Sequence, residues 1–104
     1  MTIIEITSKN NEIQTIEMTG HTGYADRGYD IVCAGLSALV YSSVNSFDSI
    51  EEDRISINDG MLKLNLCGKK ISDHDQIVLE VMLNGFSMIA SQYKKNVKII
   101  KKEK

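Results

Sequence analysis

The sequence predicts a two-layer α+β domain, in the order β-β-α-β-β-α-β, with two helices covering a sheet of about five strands. Three observations predict it. Five short segments alternate apolar and polar residues with a period of two, as half-buried strands do. Two longer segments repeat apolar residues with the period of a helix. Turn-forming residues separate the pieces at Asn10-Asn11, Asp59-Gly60 and Gly68-Lys69-Lys70. The 104 residues suit one domain spanning the whole chain and are enough to bury a real core.

The first strand covers Thr2 to Thr7, with Thr2, Ile4 and Ile6 on one side and Ile3, Glu5 and Thr7 on the other. Ser8-Lys9-Asn10-Asn11 is turn chemistry, because asparagine tolerates left-handed backbone. Ile13 to Thr19 returns as the second arm of a hairpin, and this arm delivers Gly20-His21. The loop from Thr22 to Tyr29 carries Gly23 and Gly28 near its ends, which suit hinges. It offers Tyr24 and Tyr29 as aromatic surface for a peptide and Asp26 and Arg27 as charge. The plain alternative is an ordinary surface loop; the sharper expectation is a lid that shifts to admit substrate. A first helix runs from about Ile31 to Phe47, with Val32, Leu36, Leu39, Val40, Val44 and Phe47 on its apolar face. Asp48 to Arg54 reads as a solvated acidic connector.

A second hairpin joins Ile55–Asn58 to Met61–Leu66, and Asp59-Gly60 suits a two-residue type I′ turn. Leu62, Leu64 and Leu66 alternate with Met61, Lys63 and Asn65, so one face is buried. Cys67 at the strand end reads as structural, because nothing around it in sequence supplies a base or a helix start. A second helix starts near Ser72 or Asp73, where Asp73-x-x-Gln76 fits a capping box. It continues through Ile77, Val78, Val81, Met82, Phe86 and Ile89 to Tyr93, with Asn96 suited to its C-cap. Gly85 lies on that stripe at a cost of about 1 kcal/mol against alanine, so a close approach to the first helix or to a partner subunit is expected there. His74 reads as a surface residue. Val97 to Lys102 is the last strand. Strand order is not legible at this level.

Composition narrows the class. Twelve basic and fourteen acidic residues give a net charge of −2, whereas nucleic-acid binders are usually basic, so direct nucleic-acid binding is not expected. The four lysines between Lys98 and Lys104 read as the solvated end of an edge strand. Two cysteines without a Cys-x-x-Cys argue for a reducing compartment. Met1-Thr2-Ile3-Ile4-Glu5 lacks the basic and apolar regions of a secretory signal. No segment reaches membrane-spanning length. The expected location is the cytoplasm, with no membrane partner.

The chemistry concentrates between Gly20 and Leu39. Asp30 is a favoured N-cap, because its carboxylate can accept hydrogen bonds from the free amides of a first helical turn. That places Cys33 near the third helical position, where the positive end of the helix dipole favours a thiolate. The Asp30 charge, if close, opposes that effect. His21 lies twelve residues earlier, across the glycine loop. If the loop folds back, imidazole and sulfur can pair, the usual way a cysteine becomes a nucleophile. Asp30, Cys33 and Ser37, at i, i+3 and i+7, share one helix face. The plain reading of each is a buried small hydrophobe for Cys33 and a surface residue for His21.

Gly20-His21, Gly28-x-Asp30-Ile31-Val32-Cys33-Ala34 and Ser37-Ala38-Leu39 together resemble the ribosomal-processing cysteine protease (Prp) family. The specific motif covers about twenty residues, and the length and order of elements agree over nearly the whole chain. The resemblance implies a cysteine endopeptidase that removes an N-terminal extension from a bacterial large-subunit ribosomal protein of the L-twenty-seven type. It implies that His21 and Cys33 are the catalytic pair, that Gly20, Asp30 and Ser37 support it, and that the chain is a homodimer. No cofactor or metal is implied. Two roles stay open for Asp30, capping the helix or orienting His21, and backbone amides at the helix start are the expected oxyanion donors. The competing reading is a non-catalytic ribosome-associated binding or assembly module, supported only by the lysine tail. A metal site of His21, Cys33, Cys67 and His74 has acceptable ligand types but no familiar spacing.

Overall fold

A computed structural model describes residues 1–26, 28–59 and 61–104. Strands β1 (Thr2–Lys9) and β2 (Glu12–Thr19) precede helix α1 (Ile31–Ser46). A 3-10 turn (Glu52–Arg54) leads to β3 (Ile55–Asn58) and β4 (Met61–Asn65), followed by helix α2 (Asp73–Gln92) and β5 (Val97–Glu103). The predicted element order therefore holds. The sheet runs β3-β4-β2-β1-β5, antiparallel except for the parallel pair β1–β5. Asn10 and Asn11 turn the first hairpin with φ of 52° and 64°, the left-handed backbone that a tight two-residue turn needs. The residue Gly60, expected in the second hairpin turn, lies outside the described residues, as does Arg27.

Register follows the alternation read from the sequence. Ile4 and Ile6 of β1 and Ile16 and Met18 of β2 point to one face, and Leu62 and Leu64 of β4 continue it. Val32, Leu36 and Val40 of α1 and Leu79, Met82 and Phe86 of α2 close on that face to complete the core. The two helices pack closely where Gly85 meets Leu39: a Cβ there would sit 2.6 Å from both Leu39 methyls. The expected close approach between helices is thus the reason for the glycine.

Several local expectations change. The N-cap of α2 is Ser72, whose hydroxyl accepts the Asp75 amide, not Asp73. The expected Asp73-x-x-Gln76 box does not form, because Asp73 is already the first helical residue, and Asp75 turns to the connector. Its buried carboxylate accepts the Asp48 amide at 2.9 Å and the Ser49 amide and hydroxyl at 3.0 and 2.7 Å. The connector is therefore pinned and not merely solvated. The C-cap of α2 is Tyr93, which frees Asn96 for another task. His74 is exposed, as expected, yet donates Nε2 to the Ser46 carbonyl at 2.7 Å, tying α2 to the end of α1. Cys67 lies beyond the end of β4 and is exposed, with its sulfur 3.8 Å from the Gln14 carbonyl.

β5 is an edge strand, as the lysines suggested, and Lys102 pairs with Glu5 at 3.1 Å. Among the described residues, no helix is long and apolar enough to cross a membrane.

Candidate active site

The site lies where β2 ends and α1 begins. Gly20 closes β2 with φ +89°, and a Cβ there would come within 2.4 Å of the Met1 carbonyl oxygen. Only glycine fits, which gives the Gly-His pair a steric reason. His21 follows, exposed on the loop. Ten residues further on, α1 begins with Asp30 as its N-cap, as the sequence predicts: Asp30 Oδ1 accepts the Cys33 amide at 2.9 Å.

The second oxygen of Asp30 organises the loop. Oδ2 accepts the Thr22 hydroxyl and the amides of Tyr24 at 3.1 Å and Ala25 at 3.4 Å. Partial burial alone would raise the Asp30 carboxyl, but the Thr22 hydroxyl and the Cys33, Ala25 and Tyr24 amides outweigh it and hold the group below the usual range. Both oxygens are thus engaged by backbone and hydroxyl donors on the loop and first helical turn. Of the two roles left open for Asp30, this geometry matches the cap.

His21 and Cys33 line one cleft of about 530 Å³, together with Thr22, Gly28, Asp30 and Asp59. Cys33 is exposed to it as a free thiol. Ser37 does not reach this cleft. It joins Cys33 in a smaller pocket of about 90 Å³ that Leu36, Val40, Tyr41 and Asp59 also line. Asp59, read from sequence only as a turn residue, therefore lines both of the pockets that Cys33 lines. A larger cleft of about 760 Å³ lies at the opposite end of the sheet, among Lys9, Asn10, Gly68, Lys70 and Gln76, and contains neither His21 nor a cysteine.

The loop that was expected to act as a lid is anchored in its first half. Thr22 is buried, its carbonyl accepts Asn96 Nδ2 at 2.9 Å, and the Tyr24 ring packs edge-on against Tyr93 with centroids 5.4 Å apart. Gly23 and Gly28 both take positive φ, 66° and 91°. Tyr29 is 81% exposed and Tyr24 is 47% exposed, so both present aromatic surface beside the cleft. The contacts from Tyr93 and Asn96 come from about seventy residues away in sequence, and no spacing rule could have found them.

The oxyanion expectation narrows. The Cys33 amide is taken by Asp30 Oδ1 and the Ala34 amide by the Asp30 carbonyl at 3.0 Å. Ile31 and Val32 remain as the first-turn amides without an intrahelical partner. The four-ligand metal set does not assemble: among the described residues, the one group of three or more potential ligands within reach of one another is Asp48, His74 and Asp75.

A cysteine one turn into a helix, sharing a cleft with a histidine on a two-layer α+β frame, has the makings of a thiol-dependent hydrolase. Comparison with known proteins makes the class specific: the family model described as cysteine protease Prp matches residues 1–98. The chain belongs to that family and is a cysteine protease. It is 29% identical over 104 residues to the ribosomal processing cysteine protease Prp of Staphylococcus aureus strain Mu50, covering 95% of this chain and 97% of that protein. It is 46% identical over 39 residues to the protein of the same name from Bacillus subtilis strain 168, covering 38% of this chain and 35% of that one. The fold matches the crystal structure of the S. aureus protease with a covalently linked product peptide at a TM-score of 0.82 and 28% identity, over 98% of this chain and all of that one. The same protease with a substrate peptide matches at a TM-score of 0.76.

Proposed function

We propose that this protease uses Cys33 as nucleophile and His21 as general base to cut an N-terminal extension from a large-subunit ribosomal protein of the L-twenty-seven type, in the cytoplasm and as a homodimer. The observation that carries this reading is that His21 and Cys33, separated by a loop in sequence, line one open cleft at the start of α1. In the proposed reaction His21 takes the Cys33 proton and the sulfur attacks the scissile carbonyl. The tetrahedral oxyanion is held by first-turn amides, for which Ile31 and Val32 are the candidates. Collapse breaks the C–N bond, His21 gives its proton to the leaving amine, and a thioester remains. Water, deprotonated by His21, then releases the acid and restores the thiol.

Asp30 supports the pair through the cap and the loop, and Gly20 through the turn into His21. Ser37 acts from the pocket behind Cys33. Gly23, Tyr24, Gly28 and Tyr29 form the surface along which the peptide lies. The ribosomal substrate is supported by the names of the S. aureus and B. subtilis relatives, and a peptide partner by the peptide-bound S. aureus structures. The homodimer is supported by the apolar groove between the helices, about 390 Å³, lined by Gly35, Ala38, Leu39, Gly85 and Met88.

Mixing the protein with the host's extended ribosomal protein, and reading intact masses over time, tests the reading. A single cut near the N-terminus by wild type and by Cys67→Ser, with none by Cys33→Ala or His21→Ala, is expected. Equal binding without cutting by wild type and Cys33→Ala moves the assignment to the non-catalytic module.

A further inference from the structure

His21 is exposed, so its position must come largely from the backbone that carries it. A catalytic base has to be held within about 0.5 Å of its working geometry. The carbonyls of the two neighbouring residues, Gly20 and Thr22, are each held by a side chain from outside the loop. The Gly20 carbonyl accepts the Thr2 hydroxyl at 3.1 Å. The Thr22 carbonyl accepts Asn96 Nδ2 at 2.9 Å. The two holders are themselves joined, because the Thr2 amide donates to the Asn96 carbonyl at 2.9 Å. The result is a closed ring, Thr2–Gly20–His21–Thr22–Asn96, that links the start of β1, the end of β2 and the entry to β5.

The ring is built as a fixed part of the fold. Thr2 is 2% exposed and Thr22 is 3% exposed. The Asn96 amide donates to the Tyr93 carbonyl at 2.9 Å, and Tyr93 in turn carries Tyr24 of the loop. Gly20 lets the Met1 backbone approach closely enough for Thr2 to reach its carbonyl. Asp30 fixes the far side of the same loop and Cys33 together. Base and nucleophile are therefore held by two devices that meet at Thr22, whose carbonyl belongs to one and whose hydroxyl to the other, and the one that holds the base is assembled from the two ends of the chain.

We infer that Thr2 and Asn96 are positioning residues for His21, setting the imidazole opposite the Cys33 thiol. The inference rests on His21 being the base that activates Cys33. Its test reads Cys33 alone, without a protein substrate: the rate of alkylation by iodoacetamide between pH 5 and 9, in a Cys67→Ser background, for Thr2→Val, Thr2→Ser, Asn96→Ala and Asn96→Asp.

Loss of one neutral hydrogen bond corresponds to about a fivefold effect. Thr2→Val and Asn96→Ala are expected to slow alkylation near pH 7 by about that factor and to move the pH profile toward that of His21→Ala. Thr2→Ser, which keeps the hydroxyl, is expected to match wild type. Asp75→Asn, which weakens the fold far from the ring, should leave the rate unchanged. Should Thr2→Val fail to fold, Asn96→Asp, which keeps the shape and removes the donor, carries the same expectation. If folded Thr2 and Asn96 variants overlay wild type while His21→Ala does not, the inference is wrong. If His21→Ala itself overlays wild type, the Cys33–His21 reading fails and takes the inference with it.

Discussion

Asp30 ties Cys33 to the loop in front of it, accepting the Cys33 amide on one carboxylate oxygen at 2.9 Å and the Thr22 hydroxyl on the other. Asn at this position can satisfy only part of that set, because its NH₂ would face amide donors. Asp30→Asn is expected to cost about 1–2 kcal/mol of stability, the range of a lost cap and a charge-assisted hydrogen bond. Turnover should fall by less than about tenfold, since one lost hydrogen bond is worth about 1 kcal/mol. Urea unfolding together with cleavage rates checks both. A loss beyond about a hundredfold in a folded variant, more than one hydrogen bond explains, would make Asp30 the orienting partner of His21.

Asp75 predicts the acid limb of stability. It is fully buried, and burial alone would raise its carboxyl, but the Ser49 hydroxyl and the Asp48 and Ser49 amides hold it below the ordinary value. A carboxyl lowered on folding stabilises the fold above its unfolded value and loses that contribution as pH falls through the folded value. Asp75→Asn should therefore cost about 2–3 kcal/mol near pH 7, the range for a buried charge-assisted network, with the gap to wild type closing below about pH 4. Asp30 contributes in the same direction. So does Glu51, held at about 2 chiefly by its hydrogen bond to Lys69. Urea midpoints measured from pH 2 to 7 for wild type and Asp75→Asn read the convergence.

His74 acts in the opposite sense. Its bond to the Ser46 carbonyl raises its proton affinity and outweighs the partial desolvation that would lower it, with Asp48 and Asp75 adding to the effect. A histidine raised on folding stabilises below its unfolded value of about 6.5, and that contribution fades as pH rises through the folded value. The melting temperature of wild type should thus decline slightly from pH 6 to 8, and His74→Gln should flatten the decline without changing cleavage. A decline of equal size in both proteins would remove His74 from the account.

What the sequence revealed and what it hid divide along physical lines. Alternation along β1, β2 and β4 depends on one buried face, so Ile4, Ile16 and Leu64 were legible as core. The cap at Asp30 was legible because its amide partner is three residues away. The place of Gly85 was legible as a cost needing a close neighbour, though not that the neighbour is Leu39. Asp75 was hidden because its partners lie across a connector twenty-six and twenty-seven residues back. Asn96 was misread as a helix cap because asparagine suits that role locally, whereas the fold uses its amide on a carbonyl seventy-four residues away. Strand order was hidden for the same reason, since the parallel β1–β5 pair joins the two ends of the chain.

The Gly85–Leu39 contact separates two opposing effects of one methyl group. Alanine at 85 gains about 1 kcal/mol of helix propensity over glycine. Its Cβ would also lie 2.6 Å from both Leu39 methyls, and overpacking of this kind costs about 1–3 kcal/mol. Leu39 is half-buried and borders the open groove between the helices, so it can yield in part, and an overpacking cost of about 2 kcal/mol, the middle of that range, leaves Gly85→Ala a net cost of about 1 kcal/mol. Leu39→Ala removes the obstruction, and in that background Gly85→Ala should become stabilising by about 1 kcal/mol, the propensity gain alone. The four proteins form a double-mutant cycle with a coupling of about 2 kcal/mol, read from urea unfolding. Zero coupling would mean that the glycine is not there to admit Leu39, and a second copy of the chain packed at the groove would become the explanation to test by sedimentation.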